Sequence, residues 1–171
     1  VLETDVDRGI VNSKNTYETI LEYLKKIDKE NVEVVLNENE DLTKMHDIAE
    51  QIEEMKDRKI WLKCGGFITI DKTEALTAID INSGKFTGKK NSSKENTIYK
   101  VNQEATVEIA KQLRLRNISG IIVIDYIDME EEQDRKNIMN LLEKELKKDR
   151  SKTQVMGFTK LDLLEMTRKK L

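Results

Sequence analysis

The chain has 171 residues, 37% of them charged and 5% aromatic, with a formal net charge of −3. That length buries a proper core as one large domain or two small ones, and no apolar run approaches the roughly 20 residues of a membrane-spanning helix. A single Cys64 and a single His46 exclude an internal disulfide framework and a zinc site built from these side chains alone. A lone thiol suits a reducing cytoplasm. The chain opens Val-Leu-Glu-Thr-Asp, without Met and without a basic-then-apolar signal pattern, as a piece of a longer cytoplasmic protein would.

Taken in order, Gly9–Val11 offers a short strand, and Thr16 to Ile27 reads as a helix with Ile20, Leu21, Tyr23, Leu24 and Ile27 on one side. Val32–Leu36 is a strand. A helix from about Leu42 to Met55 carries Met45, Ile48, Ile52 and Met55 at spacings of three and four. From Lys59 the character changes to strands: Ile60–Leu62, Phe67–Ile70 and Ala75–Asn82, with Asp71–Glu74 as a hairpin turn. A polar loop, Gly84–Ser93, leads through Ser92 and Glu95, at capping-box spacing, into a long helix to Leu115 with Ile98, Val101, Ala105, Ile109 and Leu113 inward. Ile121–Ile124 reads as a central strand buried on both faces. A helix from Met129 to Lys148 and two further strands, Thr153–Met156 and Lys160–Met166, complete the plan. Trp61 reads as core in preference to a stacking platform, and His46 and Cys64 as structural. The fold class expected is α+β: a mixed sheet flanked by helices, behind a smaller α/β segment, divided near Met55–Arg58.

Two stretches break local preference. In Ala75–Asn82, Asp80 and Asn82 share one face of a strand while Ile79 and Ile81 take the other, although Asp and Asn are poor strand formers. In Gly120–Met129, Asp125 follows an apolar strand at its C-terminal end, where open α/β sheets gather ligands. Two strands each delivering one aspartate make a hard-oxygen site suited to Mg²⁺ or Mn²⁺. The plain alternative for Asp80 and Asn82 is a polar face meeting water. Asp128, with Glu131 three residues on, reads first as a helix cap and second as metal support. Lys85, Lys89 and Lys90 read as solvated surface, or, beside a metal, as phosphate-backbone contacts.

The run Gly65-Gly-Phe-Ile-Thr-Ile-Asp-Lys-Thr-Glu-Ala-Leu-Thr-Ala-Ile-Asp-Ile-Asn-Ser83 resembles the core of the bacterial ribonuclease E/G family, as do Glu108–Arg116, Gly120–Met129 and Leu163–Arg168. The resemblance implies that 57–171 is a DNase I-like catalytic subdomain and that 1–56 is the later part of an RNase H-like subdomain. It implies Mg²⁺ on Asp80 and Asp125, with Asn82 orienting the scissile phosphate or the attacking water. The reaction implied is endonucleolytic hydrolysis of single-stranded RNA to 5′-phosphate and 3′-hydroxyl ends, in rRNA processing and mRNA decay. Lys152 matches a basic residue that assists 5′-monophosphate sensing in the family, where arginine is usual. The family's S1 domain with its stacking aromatics lies before this region. Its zinc link, which joins subunits of a homodimer or tetramer, would fall just beyond Leu171. The competing reading is a non-catalytic RNA-binding or dimerisation scaffold.

Overall fold

The computed structural model describes residues 6–39, 41–45, 47–84 and 94–170. The chain divides into two compact units, Val1–Glu54 and Met55–Leu171. In the first, strands β1 (Arg8–Val11) and β2 (Glu33–Leu36) pair in parallel around helix α1 (Lys14–Lys26). The helix starts two residues earlier than its apolar stripe implies because Ser13 accepts from the Thr16 amide and caps it. The single helix expected over 42–55 is instead two short ones, α2 (Leu42–Met45) and α3 (Ile48–Glu54). Asp47 between them takes φ 52°, a left-handed conformation that no α-helix continues through. Among the described residues of this unit only Leu24 is a fully buried hydrophobic side chain, while Leu21, Tyr23, Ile48 and Ile52 stand exposed.

The second unit is a six-stranded mixed sheet in the order β3-β4-β5-β6-β8-β7, built from β3 (Lys59–Trp61), β4 (Phe67–Lys72), β5 (Leu76–Asn82), β6 (Gly120–Asp125), β7 (Thr153–Phe158) and β8 (Leu163–Arg168). Helix α4 (Lys94–Leu115) is the crossover that makes β5 and β6 parallel; α5 (Glu132–Leu146) leads from β6 to β7. The β4–β5 turn closes as the sequence indicates, with Thr73 N and Oγ1 both donating to Leu76 O. The expected stripe on α4 is fully buried at Val101, Ala105, Ile109 and Leu113, and α5 adds Ile138, Leu142 and Leu146. These pack on Ile68, Ile70, Ile79, Ile81, Ile122, Ile124, Leu164 and Met166, which alternate along their strands to form one face of the sheet. The expected fold class, α+β with a mixed sheet flanked by helices, is what the chain adopts. Ser92 lies outside the described residues, as does the capping box expected there.

Two apolar stretches are less covered than expected. Ile121–Ile124 is covered on one face only: Ile122 and Ile124 are fully buried, but Ile121 is 53% exposed. Trp61 is not core; it is 65% exposed on the edge strand β3. Both errors share a cause, since an apolar run reports hydrophobicity but not how many faces its neighbours cover. The far end of the sheet is held by a buried ion pair. Arg168, at the end of β8, donates through Nε and Nη2 to Asp149 at 2.7 and 3.2 Å, and through Nη1 to Ile118 O and Asn117 Oδ1. Among the described residues no helix is long and apolar enough to cross a membrane.

Candidate functional site

The parallel ladder of β5 and β6 runs from Leu76 opposite Ile121 to Asp80 opposite Asp125. Neighbouring strands lie about 4.8 Å apart, and partners in register point to the same face. Thr77, Ile79 and Ile81 are buried whereas Ala78 and Asp80 are exposed, so Asp80 and Asp125 both rise from the uncovered face. Asn82, one step further on that face, donates from Nδ2 to Asp80 Oδ2 at 2.6 Å. The carboxyl of Asp125 is raised above the ordinary range, first by partial burial and then by the negative charges of Asp80 and Asp128. Like charges held this close favour a proton or a cation between them.

Asp128 does not cap the following helix. Helix α5 starts at Glu132, and Glu131 occupies the cap position without a side-chain bond. No helix begins directly after Asp125, where Asn102 of α4 grips the next segment with both ends of its amide: Nδ2 donates to Ile127 O at 2.8 Å and Oδ1 accepts from Ile127 N at 3.2 Å. Arg135 adds a bond to Met129 O at 2.7 Å, which holds the loop open until Glu132. Between these, Tyr126 turns into the core and meets Thr106 Oγ1 at 3.0 Å; burial raises its phenol pKa. Asp128 stands exposed three residues beyond Asp125.

The other end of the site rests on the Leu62–Gly66 turn. Gly65 has φ 92°, and a Cβ on Gly66 would lie 2.8 Å from Asn82 O. This close approach of two backbones is open only to glycine. Glu104 of α4 accepts from the backbone amides of Lys63 and Cys64, tying the turn to the helix. Desolvation raises the thiol pKa of Cys64 beside this turn.

Periodicity alone did not single out two further residues on this face. Arg58 donates to Asp71 through Nε and Nη2 at 2.5 and 2.6 Å, and Asp71 pairs in register with Ala78, two residues before Asp80. The hydrogen bonds and charge of Arg58 lower the Asp71 carboxyl pKa. Asp71 was read as a turn residue, but it follows Thr69 at period two, and that spacing is the signal for the open face. Lys152 is not brought to the site. It precedes Thr153, which pairs through Arg168 to Gly120, so it lies at the opposite end of the sheet, about 20 Å from the Asp125 row at ~3.3 Å per residue. Lys85, Lys89 and Lys90 lie outside the described residues.

Among the described residues no group of three or more metal-ligating side chains gathers; the donor set is a carboxylate pair with an adjacent amide. Mg²⁺ fits such a pair, because it keeps several waters and is usually held by one or two carboxylates plus substrate phosphates.

The fold and site thus define an α+β protein with a solvent-open carboxylate pair on adjacent parallel strands. The model of the Ribonuclease E/G family matches residues 1–171, and the chain belongs to that family. It is 43% identical over 170 residues to Ribonuclease G of Escherichia coli strain K12, covering 98% of this chain and 34% of that protein. It is 36% identical to Ribonuclease E of Nostoc, covering 97% of this chain and 25% of the relative. With the chloroplastic Ribonuclease E/G-like protein of Arabidopsis thaliana the identity is 34%, over 97% and 17%. The chain spans about a third of the length of the first of these.

Proposed function

We propose that this chain is the catalytic portion of an Mg²⁺-dependent endoribonuclease that hydrolyses single-stranded RNA to 5′-phosphate and 3′-hydroxyl ends. The observation that carries the reading is the in-register placement of Asp80 and Asp125 on the open sheet face, in a chain of the Ribonuclease E/G family. Asp80 and Asp125 would hold Mg²⁺, with Mn²⁺ as a substitute. Bound there, the cation would supply a water of lowered pKa and offset charge on the phosphoryl oxygens. Asn82, bonded to Asp80, keeps that carboxylate in one orientation and presents an amide to the phosphate. Asn102 and the Gly66 turn hold the two strand ends at which these side chains sit. Residues 57–171 correspond in this reading to the DNase I-like subdomain and 1–56 to the end of the RNase H-like one. The family likeness supports a cytoplasmic role in rRNA processing and mRNA decay and a homodimeric or tetrameric parent protein.

Titration calorimetry with Mg²⁺ on this chain and on its Asp80→Asn/Asp125→Asn variant tests the site. Binding by the wild type alone, together with Mg²⁺-dependent cutting of an end-labelled single-stranded RNA, is the expected result. Equal binding by both, or by neither, overturns it.

A further inference from the structure

The open face carries a second feature that the carboxylate site does not use. Reading across the sheet in register, Trp61 stands opposite Phe67 and Phe67 opposite Asn82; one step along, Lys59 stands opposite Thr69, Thr69 opposite Asp80, and Asp80 opposite Asp125. Two aromatic rings and a lysine therefore continue the rows of the carboxylate site toward the sheet edge. At about 4.8 Å per strand, Phe67 is one strand from Asn82 and Trp61 two. The rings meet edge to face with centroids 5.3 Å apart and an interplanar angle of 62°. Lys59 Nζ lies 3.9 Å from the Trp61 centroid and 3.6 Å from that of Phe67. Among the described residues Lys59 makes no ion pair with a carboxylate.

An indole left 65% exposed on a sheet edge is an unusual choice for stability, because an apolar edge invites unwanted pairing. Its pairing with a second ring and with a cation is the composition of a single-stranded nucleic-acid platform, where a base stacks on an aromatic face and a nearby positive charge takes the backbone. We propose that Trp61 and Phe67, with Lys59, form a stacking subsite for a base of single-stranded RNA flanking the phosphate held at Asp80 and Asp125. The subsite rests on the nuclease reading for its orientation along the RNA. It accepts any base, since every base offers a π-face, and Lys59 contacts the adjoining phosphate. Its effect is to set where along the RNA the phosphate comes to rest over the carboxylates.

Trp61 is the only tryptophan of the chain, so its emission reports the subsite directly. The Asp80→Asn/Asp125→Asn chain, which leaves RNA uncut, is titrated at low salt with a ten-nucleotide single-stranded oligoribonucleotide. The control is an abasic strand of the same length and charge. Saturable quenching by the RNA and little by the abasic strand is expected. Trp61→Ala should weaken binding of a fluorescently labelled RNA about tenfold, read by anisotropy, and Trp61→Phe should restore most of it. The platform is overturned if the RNA binds with unchanged emission and equal affinity for Trp61→Ala, or if no RNA binding is measurable. The two readings separate cleanly. Quenching by RNA in a wild-type chain that never cuts with Mg²⁺ sinks the nuclease and keeps the platform; cutting without a tryptophan response does the reverse.

Discussion

The two faces of the six-stranded sheet are made from the same strands and differ in nearly everything else. Toward α4 and α5, Ile68, Ile79, Ile122, Ile124 and Leu164 have almost no exposure, and the neighbouring α4 polar groups Asn102 and Thr106 find partners. On the other face the same strands present Asp80, Asp125, Asn82, the Arg58–Asp71 pair, Trp61 and Lys59. Because side chains alternate along a strand, each strand contributes to both faces at once. Stability and chemistry are thereby separated by one residue. A substitution on the open face should change function with little effect on folding, and its neighbour on the covered face should do the opposite.

The largest expected effect is on the open face. Asp80→Asn or Asp125→Asn should lower Mg²⁺-dependent RNA cleavage by about a thousandfold or more, the equivalent of several kcal/mol of lost charge stabilisation. Urea unfolding should show stability unchanged or slightly higher, because a like-charge contact is relieved; a variant that unfolds would break the separation of faces. Next, Asp149→Ala should destabilise the chain by about 3–5 kcal/mol, since it leaves the guanidinium of Arg168 buried and unpaired. The side chains of the pair are 0% and 2% exposed, so solvent screening offers no relief.

Ile122 and Ile121 sharpen the contrast further. Ile122→Ala should cost about 2–5 kcal/mol, while Ile121→Ala, one residue away on the open face, should stay within about 0.5 kcal/mol; equal effects would mean that something covers the open face in solution. Gly66→Ala is smaller in stability, about 1–3 kcal/mol as an overpacking change. It should nevertheless lower cleavage at saturating Mg²⁺, because the new methyl pushes on the backbone of Asn82. A loss of stability without loss of activity would show that the turn does not position Asn82.

The smallest effect is in pH. Burial alone would raise the Asp149 carboxyl, but hydrogen bonds from Arg168 and the Ser151 amide outweigh it and hold its pKa below the ordinary value. A depressed carboxyl contributes stability that is complete above its unfolded pKa, near 3.9, and is lost as pH falls through the lower folded value. Urea midpoints measured from pH 5 down to 2 should therefore fall in the wild type, and by less in Asp149→Asn. Parallel declines would assign the acid sensitivity to other groups.

Much of this was legible from residue order. The stripe Val101, Ala105, Ile109, Leu113 repeats at helical spacing, and only a helix buries it on one side. Asp80 and Asn82 interrupt a strand at period two, which assigns them a common face before any partner is known. The failures are equally specific. The spacing of Asp128 and Glu131 is that of a capping box, but Asn102, 25 residues away in sequence, bonds the backbone of Ile127 and the helix starts only at Glu132. Asp47 broke a helix whose apolar spacing was regular on both sides.

Residue order alone carries the family, the α+β class, most strand and helix stripes and the shared face of Asp80 and Asn82, because periodicity and short motifs are local properties. The tertiary structure alone decided that Asp80 and Asp125 stand side by side in register, that Ile121 and Trp61 face solvent, and that Arg168 finds Asp149 across 19 residues. Each of these depends on which strand lies beside which and which face the helices cover. Strand order and layer coverage are long-range outcomes of packing, and no local pattern carries them.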